Sequence, residues 1–325
     1  MKKNILITGI TGQDGVFLTE KILSLNKETN IYGFTRGNRR DIFFKNMNFI
    51  NKNLPTSNIH LINHDILDFE VVDKVIKDTR PLQIFNLSGP SSVYDSYVDP
   101  VKTDFEIYTI FNNLLNSIIK NKLDTFMYQA SSSEMFGTNS GTHDEESKFN
   151  PLSPYAKSKL KVHNEIQKIR NLENVKISSG IMFNHESEFR NNNYLIMKII
   201  LKALSIKNNK VGVLKLGSLR YERDWSYAKD ISEAMYLIAE NELSEDYVIG
   251  SGKTHSIKDV VEFVFNYLKI DWENKVIIDK ELLRKNDPVI VGSNPRKIEL
   301  HTNWKPKVTF EEMLYKCITY KLNNY

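Results

Sequence analysis

A chain of 325 residues, 41% hydrophobic and 26% charged, can bury a large core, which excludes a disordered or fibrous protein. Lys and Arg number 44 against 40 Asp and Glu, a net charge of +4 with no basic run, so no nucleic-acid partner is expected. The single cysteine, Cys317, cannot form an internal disulfide, and no apolar run reaches the roughly 18 residues of a membrane span, so the protein is expected to be cytoplasmic and free of the membrane.

Short apolar runs at 4–10, 30–35, 59–63, 83–88, 126–131 and 175–183 read as strands. Amphipathic stretches at 16–25, 69–77, 105–120 and 155–172 lie between them and read as helices. Their alternation predicts an α/β fold, a doubly wound parallel sheet of the Rossmann type. Beyond residue 183 the alternation weakens, and segments rich in Asn and charge at 188–193 and 285–296 suggest a smaller C-terminal substrate-binding lobe over the strand ends. The expected division is a cofactor-binding domain over 1–183, with a returning segment near 219–250, and a substrate lobe over 184–218 and 251–325.

The first chemical signal follows the first strand: Thr8-Gly9-Ile10-Thr11-Gly12-Gln13-Asp14-Gly15. Glycines in this spacing let the backbone turn tightly and approach a pyrophosphate, which then sits at the N-terminus of the next helix. A plain strand-to-helix turn is the alternative. After the second strand comes Thr35-Arg36-Gly37-Asn38-Arg39-Arg40, with no carboxylate before Asp41. A carboxylate there would bind the ribose diol of NAD, whereas arginine forks suit a 2′-phosphate, so NADP is expected as cofactor. Asp65, after the third strand, is placed either to meet the adenine or to cap a helix. The expected cofactor set from these segments is Gly9, Thr11, Gly12, Gln13, Asp14, Gly15, Arg36, Asn38, Asp65, Ile66, Leu87, Ser88, Tyr155 and Lys159.

Tyr155 and Lys159 stand four apart on a predicted helix and share a face. An ammonium beside a phenol lowers its pKa, so Tyr155 is a candidate base toward a substrate hydroxyl, with Lys159 holding the nicotinamide ribose. Tyr194 and Lys198 repeat the spacing, but only Tyr155 follows a helix-start signal, Ser153-Pro154, behind the fifth strand. That strand ends in Gln129-Ala130-Ser131-Ser132-Ser133-Glu134, hydroxyls and a carboxylate at the sheet edge where open α/β folds keep reacting groups. Backbone capping by the same residues is the competing reading.

Together these segments resemble an extended short-chain dehydrogenase/reductase, and within it the GDP-mannose 4,6-dehydratase family. The similarity runs through the glycine turn, 129–137, 153–159, Phe183-Asn184-His185-Glu186-Ser187, Arg223-Asp224-Trp225, Ala228-Lys229-Asp230 and Asn303-Trp304-Lys305-Pro306. It implies that Ser132 and Tyr155 hold the sugar O4 and that Glu134 is the elimination base. His185 and Arg190 match positions contacting the cofactor, and Asn184, Lys198, Arg223 and Arg284 match the nucleotide-sugar side, with Ser91 also expected there. The implied reaction oxidises C4 of a GDP-hexose, removes water across C5–C6 and returns hydride to C6, giving a GDP-4-keto-6-deoxy sugar.

Departures from the family pattern fall at Gly89-Pro90-Ser91-Ser92-Val93, at Glu188-Phe189-Arg190-Asn191-Asn192-Asn193, before Arg223 and at Arg284-Lys285-Asn286-Asp287. They lie where the sugar and base pockets are expected, so GDP-mannose is the first expectation, with GDP-N-acetylglucosamine and a GDP-heptose as alternatives. An epimerase or 4-reductase using the same Tyr155 and Lys159, and a non-catalytic NADP-binding protein, are the rival classes. The resemblance implies a homodimer through helices 105–120 and 155–172, or a tetramer with loops 36–40 in contact. The alternative is that those helices only cover the sheet. The histidines show no metal-ligand spacing, and no metal is expected.

Overall fold

The computed structural model describes residues 3–172, 175–209, 211–283 and 286–324. The first half runs β1 (Asn4–Thr8), α1 (Gln13–Leu25), β2 (Asn30–Phe34), α2 (Arg40–Ile50), β3 (Ile59–Ile62), α3 (Phe69–Thr79), β4 (Gln83–Asn86), α4 (Val93–Val98), α5 (Pro100–Lys120), β5 (Phe126–Ser132), β6 (Gly141–His143), α6 (Pro154–Leu172) and β7 (Ile177–Met182). The second continues through β8 (Asn184–Glu186), α7 (Leu195–Asn209), β9 (Leu214–Leu216), β10 (Glu222–Arg223), β11 (Trp225–Tyr227), α8 (Ala228–Glu240) and β12 (Asp246–Ile249). It ends with β13 (His255–Ser256), α9 (Ile257–Tyr267), β14 (Val276–Ile278), β15 (Ile290–Ser293), α10 (Arg296–Thr302) and α11 (Phe310–Asn324).

Seven strands pair in the order β12-β7-β5-β4-β1-β2-β3, every pair parallel. This is the doubly wound parallel sheet expected from the alternation. Helices cover both faces, as an all-parallel sheet requires. On one face Val16, Leu18 and Ile22 of α1 pack with Ile231, Met235 and Ile238 of α8. On the other, Val72 and Ile76 of α3 meet Ile110, Phe111 and Leu114 of α5 and Val162 and Ile166 of α6.

Helix starts carry local capping chemistry. Asp68 accepts the Glu70 and Val71 amides ahead of α3, and Ser153 accepts the Ala156 amide ahead of α6. Asp99 caps α5 through the Lys102 amide with Pro100 in the first helical position, so this helix begins five residues before its expected start at 105. Helix α2 has no counterpart in the sequence reading. It forms where Phe43 and Met47, one turn apart, dock into the core beside α1.

The remaining elements build a second core. Ile196, Ile200 and Leu204 of α7 pack with Val260, Val264 and Phe265 of α9 and with Met313, Leu314 and Ile318 of α11. A four-stranded sheet, β13-β10-β15-β6, lies beside the main one, with two-stranded pairs β11-β8 and β14-β9. Asp224, fully buried between β10 and β11, holds this region to the end of β12. Its carboxylate accepts the Ser251 hydroxyl at 2.6 Å, the Ser251 and Gly252 amides at 2.9 Å each, and the Ser293 hydroxyl. Trp304 and Asp230 make a second weld: the indole donates to the Asp230 carbonyl at 3.0 Å, and the Asp230 side chain accepts the Lys307 and Val308 amides.

Removing a buried acceptor strands every donor that points at it, at about 1–3 kcal/mol per group. Asp224→Ala is therefore expected to lower unfolding free energy by about 3 kcal/mol or more in chemical denaturation, and an unchanged denaturation midpoint would contradict the role given to this carboxylate.

Candidate active site

The chain leaves β1 toward β2 and β3 on one side and returns to β4 and β5 on the other, so the strand order reverses between β1 and β4. Open α/β sheets bind ligands at such a switch point, outside the carboxyl ends of the strands. A buried polar ladder crosses the tips there. Thr8 donates to Asn86 Oδ1 at 2.8 Å, Asn86 Nδ2 to Gln129 Oε1 at 2.7 Å, and Gln129 Nε2 to the Ala130 carbonyl at 3.0 Å. Thr8 Oγ1 also accepts the Leu87 and Ser88 amides at 3.0 and 3.1 Å, which sets the strand-end segment expected to face the cofactor.

The glycine turn closes against that segment. Gly9 has φ +67°, and a Cβ there would stand 2.9 Å from the Leu87 carbonyl oxygen. A Cβ on Gly15 would strike the Ile10 backbone at 2.4–2.6 Å. Gly12, the residue before α1, brings no side chain to the helix amides, and Thr11 Oγ1 lies 3.4 Å from Thr35 Oγ1. At the end of β2, Arg36 is 61% exposed with one long contact, 3.4 Å, to Glu106, and Asn38 is exposed beside it. A turn that tolerates no side chain, open helix amides and an exposed guanidinium fit a dinucleotide carrying an extra phosphate. Asp65 is exposed and accepts the Leu67 amide at 3.0 Å, while Ile66 is buried in the core. Asp68, not Asp65, caps α3.

Gln13 and Asp14 face away from the turn toward β8. Gln13 Nε2 donates to the His185 carbonyl at 3.1 Å, and its Oε1 accepts the Ser187 hydroxyl at 2.8 Å. His185 Nδ1 donates to the Phe183 carbonyl at 2.7 Å, and its Nε2 lies 3.2 Å from Asp14 Oδ2. Both ring nitrogens thus address acceptors, the pattern of an imidazolium. Burial disfavours charge on each partner, but the mutual attraction wins: the His185 pKa rises above 6.5 and the Asp14 pKa falls below 3.8. Beyond this pair, Arg190 Nε lies 3.6 Å from Glu186, and the Arg190 guanidinium stacks 3.5 Å over the Tyr194 ring.

Tyr155 and Lys159 project from the first turns of α6, both buried. Lys159 Nζ donates to the Ala130 carbonyl at 2.8 Å and stands 5.8 Å from the Tyr155 ring, and burial lowers its pKa to about 8. The expectation that the ammonium depresses the phenol is corrected here. Burial raises the Tyr155 pKa and outweighs the lowering by the Ser132 hydrogen bond and by Arg190, while Glu134 and Tyr194 push it further up. Ser132, Glu134, Arg190 and Tyr194 thus all lie within electrostatic reach of Tyr155. Ser132, at the tip of β5, accepts the Glu134 amide at 3.2 Å, the capping contact expected as the competing reading. Gly137 follows with φ +61°, pressed so close to Asn150 that a Cβ would overlap its carbonyl oxygen.

The substrate-side candidates are less uniform. Ser91 lies 2.6 Å from Tyr194 OH. Asn184 and Lys198 are exposed on β8 and α7. Arg223 has its donors engaged, with Asp287 at 3.1 Å and the Glu222 and Pro288 carbonyls at 2.8 and 3.0 Å. Arg284 lies outside the described residues. Residues not found by sequence reasoning are Thr8, Asn86 and Tyr194. The first two look like ordinary strand ends, and Tyr194 reads as a chance spacing match. Among the described residues no group of three or more His, Cys, Asp or Glu could hold a metal ion.

Sheet order, switch-point turn and the Tyr155/Lys159 pair define a Rossmann-type protein of the short-chain dehydrogenase/reductase class. DesIV, a dTDP-glucose 4,6-dehydratase of Streptomyces venezuelae with NAD and TYD bound, matches with a TM-score of 0.85 at 20% identity, covering 99% of this chain and 97% of that one. RMD from Pseudomonas aeruginosa complexed with NADPH matches with a TM-score of 0.82 at 18% identity over 100% of both chains. GDP-mannose 4,6 dehydratase 1 of Arabidopsis thaliana is 32% identical over 323 residues, covering 96% of this chain and 88% of that one. The chain belongs to the GDP-mannose 4,6 dehydratase family, whose model matches residues 6–317.

The Asp14–His185 pair makes a pH-resolved prediction. Because the His185 pKa is raised, its contribution to stability is complete below about 6.5 and is lost as pH climbs through the higher folded value. Because the Asp14 pKa is lowered, its contribution is present above 3.8 and is lost as pH falls through the lower folded value. In Asp14→Asn, burial acts on His185 without the neighbouring carboxylate, so its midpoint in an NMR ring-proton titration should fall; a midpoint that stays where it was would dissolve the pair.

Proposed function

We propose that the protein is an NADP-dependent 4,6-dehydratase that converts a GDP-hexose, GDP-mannose first, into a GDP-4-keto-6-deoxy-hexose. The observation that carries this reading is Glu134 at the tip of β5, its amide donating to the Ser132 hydroxyl at 3.2 Å and its charge close enough to raise the Tyr155 pKa. Simple oxidation or reduction at C4 needs a phenol and a hydroxyl. Elimination needs a further group at the neighbouring carbon, and Glu134 is that group.

Bound NADP would supply reversible hydride acceptance, which makes the overall conversion redox-neutral. Gly9, Gly12 and Gly15 would admit its pyrophosphate, Arg36 its 2′-phosphate and Lys159 its ribose. Ser132 and Tyr155 orient the sugar 4-hydroxyl and take its proton. Burial keeps the resting phenol protonated, so positive charge must be close when it acts as a base; Lys159 and Arg190 are the sources within this chain. Glu134 removes the C5 proton, made acidic by the 4-ketone, and delivers a proton to the departing C6 hydroxyl. The family assignment supports GDP-mannose over GDP-N-acetylglucosamine or a GDP-heptose.

Assembly and location rest on surfaces and thiol chemistry. Tyr94, Tyr97, Val98, Val101 and Phe105, along α4 and α5, are each more than half exposed. Contiguous apolar exposure of this kind marks an interaction face, and a homodimer through α5 is the arrangement proposed. The described residues contain no helix long and apolar enough to cross a membrane. A lone buried thiol at Cys317 suits a reducing compartment, and a cytoplasmic location is the one proposed.

Replacing Glu134 by Gln keeps size and hydrogen bonding but removes the base. Turnover of GDP-mannose should drop about 10²–10⁴-fold with NADP affinity preserved, and wild-type product formed in deuterated water should carry deuterium at C5. Undiminished turnover by the variant would remove the base role given to Glu134, and a product without label would rule out elimination. Sedimentation should report a dimer that Phe105→Asp converts to monomer; a monomeric wild type would end the assembly proposal.

A further inference from the structure

Tyr194 has no assigned role in the reaction, yet it sits where two parts of the molecule meet. It directly precedes α7, whose first hydrogen bond runs from the Lys198 amide to the Tyr194 carbonyl at 2.8 Å. Its hydroxyl lies 2.6 Å from that of Ser91, in the loop between β4 and α4 beyond the carboxyl edge of the main sheet. The Arg190 guanidinium, 3.5 Å from the ring centre, holds the ring from one side, and Arg190 is itself fixed near Glu186. The Tyr194 side chain is also within electrostatic reach of the Tyr155 phenol.

We propose that Ser91 and Tyr194 form a hydroxyl clamp that reads a sugar hydroxyl other than the one at C4, making Tyr194 a specificity-determining residue. The inference rests on the GDP-sugar dehydratase reading above. Two hydroxyls facing each other can each donate or accept, so either can exchange its partner for a sugar hydroxyl without leaving a donor unpaired. A site that hydrogen-bonds a substrate hydroxyl rejects the analogue lacking it far more strongly than an apolar wall would. The location suits such a clamp, because Ser91 is carried by the main sheet and Tyr194 by the second core. Ser91 follows β4 and Ser132 ends β5, neighbouring parallel strands, so both hydroxyls belong to one carboxyl edge of the sheet.

The test uses the NADP-loaded enzyme with GDP-mannose and its 2-deoxy and 3-deoxy analogues. Wild type should prefer GDP-mannose over at least one analogue by about tenfold in kcat/KM. Tyr194→Phe keeps the ring and its stacking on Arg190 but loses the hydroxyl. It should raise the KM for GDP-mannose about tenfold, erase that preference, and leave kcat, NADP affinity and melting temperature near wild-type values. Ser91→Ala should act in the same direction, and the double variant should be no worse than the poorer single one. If Tyr194→Phe keeps wild-type KM and preference, whether or not its melting temperature drops, the hydroxyl pair is a structural latch and the clamp is refuted. A parallel loss of NADP affinity would refute it too, by assigning Tyr194 to the cofactor through Arg190. Calorimetric binding of GDP-mannose separates the two readings. A wild type that binds without dehydrating defeats the dehydratase proposal, and the affinity ratio of wild type to Tyr194→Phe then decides the clamp. A wild type that does not bind GDP-mannose defeats both.

Discussion

The docking of the segment after β7 onto the first turn of α1 governs everything that meets at Tyr155. Gln13 and Asp14 belong to the glycine turn, but their side chains are spent on the His185 carbonyl, the Ser187 hydroxyl and the His185 ring. That contact fixes where the chain goes next, and so fixes Arg190 and Tyr194. A charged pair at this depth is stable only because each member satisfies the other, since either alone would face burial uncompensated. The glycine turn is thereby also the anchor of the segment that carries Arg190 and Tyr194.

A second constraint comes from the ladder Thr8–Asn86–Gln129–Ala130, which ends on Lys159. It links the tips of β1, β4 and β5 to the helix carrying the phenol. Each link is buried, so none can be broken without stranding a polar group. The distance between the glycine turn and Tyr155 is therefore set by hydrogen-bond lengths rather than by flexible packing. For a reaction in which a hydride acceptor, a phenol and a carboxylate must address adjacent carbons, such rigidity is what positioning requires.

Electrostatics in the site run against the simplest reading of the Tyr and Lys spacing. Burial dominates both groups, raising the phenol and lowering the amine to about 8. The resting protein thus holds a neutral phenol beside Ser132, and nearby positive charge would favour its ionised form. Spacing on a helix conveys that two side chains share a face. It conveys nothing about how dry that face is, and dryness decides the sign here.

Much of the architecture was legible along the chain because it depends on near neighbours. The alternation of apolar runs and amphipathic stretches, the glycines of the first turn and the Ser153-Pro154 helix start are local features, and local sterics enforce them. The serine cluster with Glu134 and the Tyr155/Lys159 pair were singled out the same way, from a strand tip and the helix that follows it, while the roles of Ser132 and Glu134 came only from the family resemblance. Helix α2 escaped because Phe43 and Met47 are too few to make a pattern until α1 supplies the groove they fill. Tyr194 escaped for a deeper reason: Arg190 lies one turn away in the chain, but Ser91 comes from far upstream, and only the folded chain brings the two hydroxyls together. Sequence by itself determined the elements and the chemical groups available to them. Tertiary structure alone decided which groups share a site and in what charge state, because both depend on contacts and burial between residues far apart in the chain.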